Sequence, residues 1–196
     1  MLRRLILCLL PLLAACTATP ATLPAPSAAA VEMAASKASR LIGTAAPLFT
    51  LSDQDGKAVS LASFKGQWVV LYFYGKEDTP GCSCMANEYT DLLLNLVNVP
   101  AKVLGINDQP PEDALYSSDR YGILITVLAD PDAKVMPRYG VRTGEQDLIT
   151  RGTFLIAPDG RIAWHWPVVV AEGHVERIKQ KLKDLGAPVA ATGPVR

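Results

Sequence analysis

Apolar residues along this chain fall into short dense runs, and the spacing inside the runs changes from one to the next. Gln67 to Tyr74, Q-W-V-V-L-Y-F-Y, is β-branched, aromatic and nearly all apolar. A strand without polar alternation is buried on both faces, as in a sheet covered by helices. Ala101 to Ile106, A-K-V-L-G-I, reads the same way, and so does Ile125 to Leu128, which D-P-D closes. Between these runs the period lengthens. Ala86 to Leu96 predicts a helix with Leu92, Leu93, Leu96 and Val97 on one side, and Glu112 to Tyr121 predicts another. Phe49-Thr50-Leu51 is a short strand signal ahead of D-Q-D-G-K, Asp53 to Lys57. The latter shares D-x-D-G with calcium loops but lacks the closing Glu, so it reads as a hairpin turn. Thr153 to Ile156 and Arg161 to Trp166 flank A-P-D-G, a second hairpin. Val175, Ile178, Leu182 and Leu185 then repeat at helical spacing, with Gly186 as the stop. Strand–helix alternation followed by a hairpin and a last helix predicts an α/β fold with a central mixed sheet flanked by helices. Met85, Trp164 and Trp166 read most simply as packing residues.

The N-terminus carries a different pattern. Arg3 and Arg4 precede an apolar run from Leu5 to Ala15, too short for the roughly 20 residues of a membrane-spanning helix. The run ends in L-A-A-C, Leu13 to Cys16, which resembles the lipobox of bacterial lipoproteins. That resemblance implies a signal peptide over 1–15, cleavage before Cys16 and acylation of Cys16; a plain signal peptide with an incidental cysteine is the alternative. Thr17, rather than Asp, follows the cysteine, which favours an outer-membrane anchor facing the periplasm. Residues 16–40 are rich in Ala, Pro, Ser and Thr and lack aromatics, so they read as a flexible tether. The domain then runs over 41–186, and 187–196 reads as a disordered tail.

Composition narrows the function. The 196 residues are 49% hydrophobic, enough for one domain with a core. Lys plus Arg and Asp plus Glu both number 19 and no basic patch stands out, which argues against nucleic-acid partners. The four cysteines, Cys8, Cys16, Cys82 and Cys84, do not form the framework of a small disulfide scaffold.

Cys82 and Cys84 are too close for a CxxC redox pair. Cys82 follows Pro80-Gly81, beyond the longest strand and at the start of a predicted helix. A free cysteine, with pKa about 8.5, is only about 3% thiolate at pH 7, but a helix N-terminus and a nearby cation lower that pKa to about 6 or below. The alternative, a buried structural cysteine, fits poorly with a Pro-Gly turn, which belongs at an exposed junction.

L-Y-F-Y-G-K-E-D-T-P-G-C-S, Leu71 to Ser83, resembles the peroxidatic motif of peroxiredoxins, most closely the bacterioferritin-comigratory or Q type. F-T-L-S-D-Q-D-G-K-A-V-S-L-A-S-F-K-G precedes it in the order the family shows. L-A-D-P-D-A-K-V-M-P-R-Y-G-V, R-G-T-F-L-I-A-P-D-G-R-I and Gly173-His174 follow, so the resemblance covers Leu41 to Gly186. It implies a thioredoxin-like fold, no cofactor, a peroxide substrate and an external thiol reductant such as a thioredoxin-like protein. Cys82 would be the nucleophile. Thr79 would hydrogen-bond thiolate and peroxide, and Arg151 would hold the thiolate ionised and stabilise the leaving oxygen. The chain departs from the pattern at three positions. Gly75 replaces the motif proline, which implies a looser, wetter pocket. Met85 stands where a Glu is usual, and Asn87 where the Q type often has its resolving cysteine.

Cys84 is therefore a candidate resolving cysteine. Side chains at i and i+2 of a helix point about 200° apart, so a Cys82–Cys84 bond needs the first helical turn to open, and would be strained and easily reduced. An external thiol, or an inert Cys84, are the other possibilities. Three further readings compete with a peroxidase. One is a periplasmic thiol–disulfide oxidoreductase. Another is a Cu(I)-binding module using Cys82, Cys84 and Met85 or His174. The third is a degenerate, inactive domain. A lone His at a helix start, such as His174, is more often a solvated or capping residue.

Overall fold

The structure is a computed structural model, which describes residues 39–75, 86–141 and 151–188 together with Glu32 and Ser36. Its strands are β1 (Thr50–Asp53), β2 (Ala58–Ser60), β3 (Val69–Phe73), β4 (Lys102–Asn107), β5 (Thr126–Ala129), β6 (Gly152–Ile156) and β7 (Ile162–Trp166). The helices are α1 (Ala86–Asn95), α2 (Pro111–Tyr121) and α3 (His174–Asp184). The described strands form one sheet in the order β2-β1-β5-β4-β3-β6-β7. The three central strands β3, β4 and β5 are parallel, while β1 joins β5 and β6 joins β3 in antiparallel fashion. The mixed sheet expected from the alternation is thus present.

β3 is buried at every position, as its unbroken apolar run requires. Its residues serve two cores in alternation. Val70, Tyr72 and Tyr74 join a cluster with Leu92 and Leu93 of α1, Ala114 of α2 and Ile178 of α3. Val69, Leu71 and Phe73 face a second cluster with Phe49, Met136, Tyr139 and Phe154. Phe73, Tyr139 and Phe154 pack ring against ring there, with centroids 5.2 to 5.7 Å apart.

Several local expectations need correction. Val97 does not join the apolar face of α1; it is 47% exposed. The α-helix stops at Asn95 and the chain tightens into a 3-10 turn over Leu96–Asn98, so Leu96 stays buried while Val97 rotates outward. Leu185 lies just beyond α3 and is 37% exposed, so the apolar repeat ends at Leu182. The first strand begins at Thr50 because Phe49 turns into the core and its carbonyl accepts from Leu61 N at 3.1 Å. Asp53–Lys57 makes the expected hairpin turn, with Asp53 Oδ1 accepting from Asp55 N and Lys57 N. Gly186, with φ +79°, ends the chain's last helical turn as expected.

Candidate active site

The parallel strands β3 and β4 end side by side, and polar groups take over from apolar ones there. Tyr74 N donates to Ile106 O at 3.1 Å, carrying the ladder one residue past β3. The Tyr74 ring stacks on Tyr72 with centroids 5.6 Å apart. Its hydroxyl accepts from Asn107 Nδ2 at 3.1 Å, and Asn107 also bonds Gln109 through both its amide groups. All three side chains are buried. Gly75, where the chain leaves this floor, is buried too.

Thr79, Cys82, Cys84 and Met85 fall within 76–85, and Cys16 within 1–31; all of these lie outside the described residues. What the described residues fix is the frame of that loop. It leaves from Gly75 and returns at Ala86, where α1 begins and goes on to pack Leu92 and Leu93 beneath the sheet face that carries Tyr72 and Tyr74.

Arg151 is the one described residue among those assigned to the peroxidatic site. It is half-buried and immediately precedes β6. The β3–β6 register pairs Tyr72 with Thr153 and Phe73 with Gly152. One further step sets Arg151 opposite Tyr74, at the end of β3 from which the chain runs toward Thr79 and Cys82. Strand alternation puts Arg151 on the same face as Thr153 and Leu155, the face covered by α1.

His174 corrects an expectation. It is neither solvated nor capping: only 1% of its surface is exposed, and Gly173 takes the cap position in the left-handed region at φ +64°. A 2.8 Å hydrogen bond joins His174 Nε2 to Thr153 Oγ1. The ring sits edge-on to Trp166 at 5.3 Å. Burial, aided by the charge of Arg177, pushes its pKa down to about 4, so the imidazole is neutral at pH 7. The pair escaped sequence reasoning because a lone His carries no sign of where its helix docks. The available signal was Thr153 within R-x-T-F, on Arg151's side of the strand.

Two of the cavities among the described residues adjoin the elements named above. One of about 440 Å³ runs between Asp91, Leu92 and Asn95 of α1 and the chain around Gly173, and its described lining includes His174. The other, of about 350 Å³, is lined by Leu48, Leu61, Phe64 and Val69, at the opposite end of β3 from Gly75.

The AhpC/TSA family profile matches residues 42–165. The chain is 36% identical over 149 residues to peroxiredoxin Bcp of Escherichia coli, covering 72% of this chain and 95% of that protein. Among solved structures it is similar to a cysteine-to-serine mutant of peroxiredoxin Q from Xylella fastidiosa. The TM-score is 0.62 at 29% identity, covering 70% of this chain and 89% of the other. It is equally similar to the bacterioferritin comigratory protein of Xanthomonas campestris, a structure described for its alkyl peroxide reduction activity. There the TM-score is 0.61 at 29% identity, over 70% of this chain and 91% of the other. The seven-strand mixed sheet with its helices is accordingly the thioredoxin-like peroxiredoxin fold, and the chain belongs to the AhpC/TSA family as a peroxiredoxin of the Bcp type, a thiol peroxidase.

Proposed function

We propose that Cys82 is the peroxidatic cysteine and that Thr79 and Arg151 complete its site. The observation that carries this reading is the β3–β6 register, which brings Arg151 to the end of β3 where the loop toward Cys82 departs. In the reaction, the Cys82 thiolate attacks one oxygen of the peroxide and the O–O bond breaks. The sulfur becomes a sulfenic acid, and the displaced oxygen leaves as water or an alcohol after taking a proton. Arg151 stabilises negative charge first on sulfur and then on the leaving oxygen, and the Thr79 hydroxyl orients the peroxide. Hydrogen peroxide and organic hydroperoxides are both substrates in this reading; the activity described for the Xanthomonas relative supports the second class. An external thiol protein returns the cysteine to its reduced form, with Cys84 as the candidate intermediate partner. Lipidated Cys16 tethers the enzyme to the outer membrane on its periplasmic side, in keeping with the leader and the lipobox-like L-A-A-C.

Stopped-flow mixing of reduced protein with peroxide tests the assignment. The wild type should lose one thiol per peroxide, or two where Cys84 goes on to close a bond with Cys82, at a rate well above free cysteine, and Cys82→Ser should lose this phase entirely. A Cys82→Ser protein that still consumed peroxide at the wild-type rate would refute it. Mass spectrometry of the treated protein then distinguishes a Cys82–Cys84 bond from a sulfenic acid awaiting an external thiol.

A further inference from the structure

We infer that the Thr153–His174 hydrogen bond positions Arg151, making His174 a positioning residue of the peroxidase reaction. The inference rests on the assignment of Cys82 and Arg151 above.

β6 is held unequally along its length. Toward β7 the described ladder ends at the pair Thr153–Trp166, and toward β3 it ends at Gly152–Phe73. Arg151 lies beyond both ends. The backbone from which its side chain leaves is set by the two rungs that follow it, and Thr153 is the last rung held from both sides. Thr153 is also fully buried, and it shares Arg151's face of the strand. Its hydroxyl is tied at 2.8 Å to a ring that is itself locked. His174 is the first residue of α3, fixed by the left-handed turn at Gly173 and by the Trp166 ring at 5.3 Å. Trp166 in turn is the cross-strand partner of Thr153. Strand end, helix start and aromatic ring thus close on one another beneath the arginine. Among the described residues, His174 Nδ1 has no hydrogen-bond partner, so Thr153 is the group that fixes the ring's polar edge.

The imidazole is neutral at working pH and contributes no charge of its own toward a thiolate. Its influence on sulfur therefore passes through the placement of Arg151. Misplacing a catalytic group by about 1 Å can cost up to about 100-fold in rate.

The test measures the rate constant for hydrogen peroxide against pH, using full-length protein whose fold is checked by circular dichroism. Thr153→Val keeps the shape and deletes the hydroxyl, while His174→Leu deletes the ring partner. Each should slow the reaction roughly tenfold and move the thiolate inflection to higher pH, in the direction of Arg151→Ala. His174→Gln, whose amide reaches the place of Nε2, should recover most of the rate. In an Arg151→Ala background, Thr153→Val should change the rate by about twofold or less, because the path is already cut. A folded Thr153→Val with the wild-type profile, where Arg151→Ala shifts it, overturns the inference and leaves the site assignment standing. An equal loss in both backgrounds overturns it as well. An unshifted profile in Arg151→Ala refutes the role of Arg151, and this inference with it.

Discussion

At His174 the deciding quantity is the cost of charging an imidazole beneath the sheet. The unfolded chain takes up this proton near 6.5, but the folded chain only near 4, because burial and the Arg177 charge disfavour the cation. Between those values the unfolded state binds more protons, so stability is intact above about 6.5 and falls as the pH drops toward 4. The full difference is up to about 3 kcal/mol. Burial shifts His165 in the same direction and adds to the slope. Denaturant titrations at stepped pH should therefore show the advantage of wild type over His174→Gln shrinking by about that much between pH 7 and pH 4. A difference that did not vary with pH would mean that His174 is not held neutral by burial. The sequence marked this residue as a histidine at a helix start, within a family-like Gly-His pair and as a candidate copper ligand. Its burial depends on α3 docking against β6 and β7, which no local pattern contains.

At the scale of elements, β4 shows how one strand disciplines another. A Cβ placed on Gly105 would lie 3.1 Å from Tyr74 Cε1 and 3.2 Å from Ile125 Cδ1. Neither neighbour has room to yield: the Tyr74 ring is stacked on Tyr72 and hydrogen-bonded by Asn107, and Ile125 is buried. Gly105→Ala should cost about 1–3 kcal/mol through overpacking, read as a lowered midpoint in thermal or chemical denaturation. A midpoint equal to wild type would show that the Tyr74 stack is looser than its geometry suggests. The apolar run A-K-V-L-G-I announced β4 plainly, yet the need for glycine within it arises from a ring on the neighbouring strand. Val97 makes the same point in reverse. Its helical spacing was sound, but the chain tightens after Asn95, and a change from 3.6 to about 3 residues per turn swings the next side chain into solvent.

At the scale of the whole molecule, the sheet order brings distant segments of the chain to one end of β3. The loop toward Cys82 leaves there, Asn107 closes the neighbouring strand, and Arg151 arrives on the other side from far along the chain. The proposed lipid anchor would hold the enzyme at a membrane surface. Among the described residues no helix is long and apolar enough to cross a bilayer, so attachment in this reading comes from acyl chains on Cys16. Each buried CH₂ contributes about 0.8 kcal/mol, and more than one chain gives stable anchoring. When the full-length protein is expressed in a bacterial host and fractionated, the wild type should sediment with membranes, and Cys16→Ser should leave that fraction or keep its leader uncleaved. Equal partitioning of the two proteins, with the leader removed from both, would remove the anchor.

The chain's own pattern determined the kinds of elements, their order and the motif strings that carry Cys82, Thr79 and Arg151, because periodicity and turn chemistry act over a few neighbouring residues. Tertiary structure alone decided that Arg151 reaches the end of β3, that His174 is buried against Thr153, and that Gly105 must lack a side chain. Those outcomes come from strand register and helix docking, where residues far apart in sequence compete for one space and where the environment, rather than the residue type, sets charge and exposure.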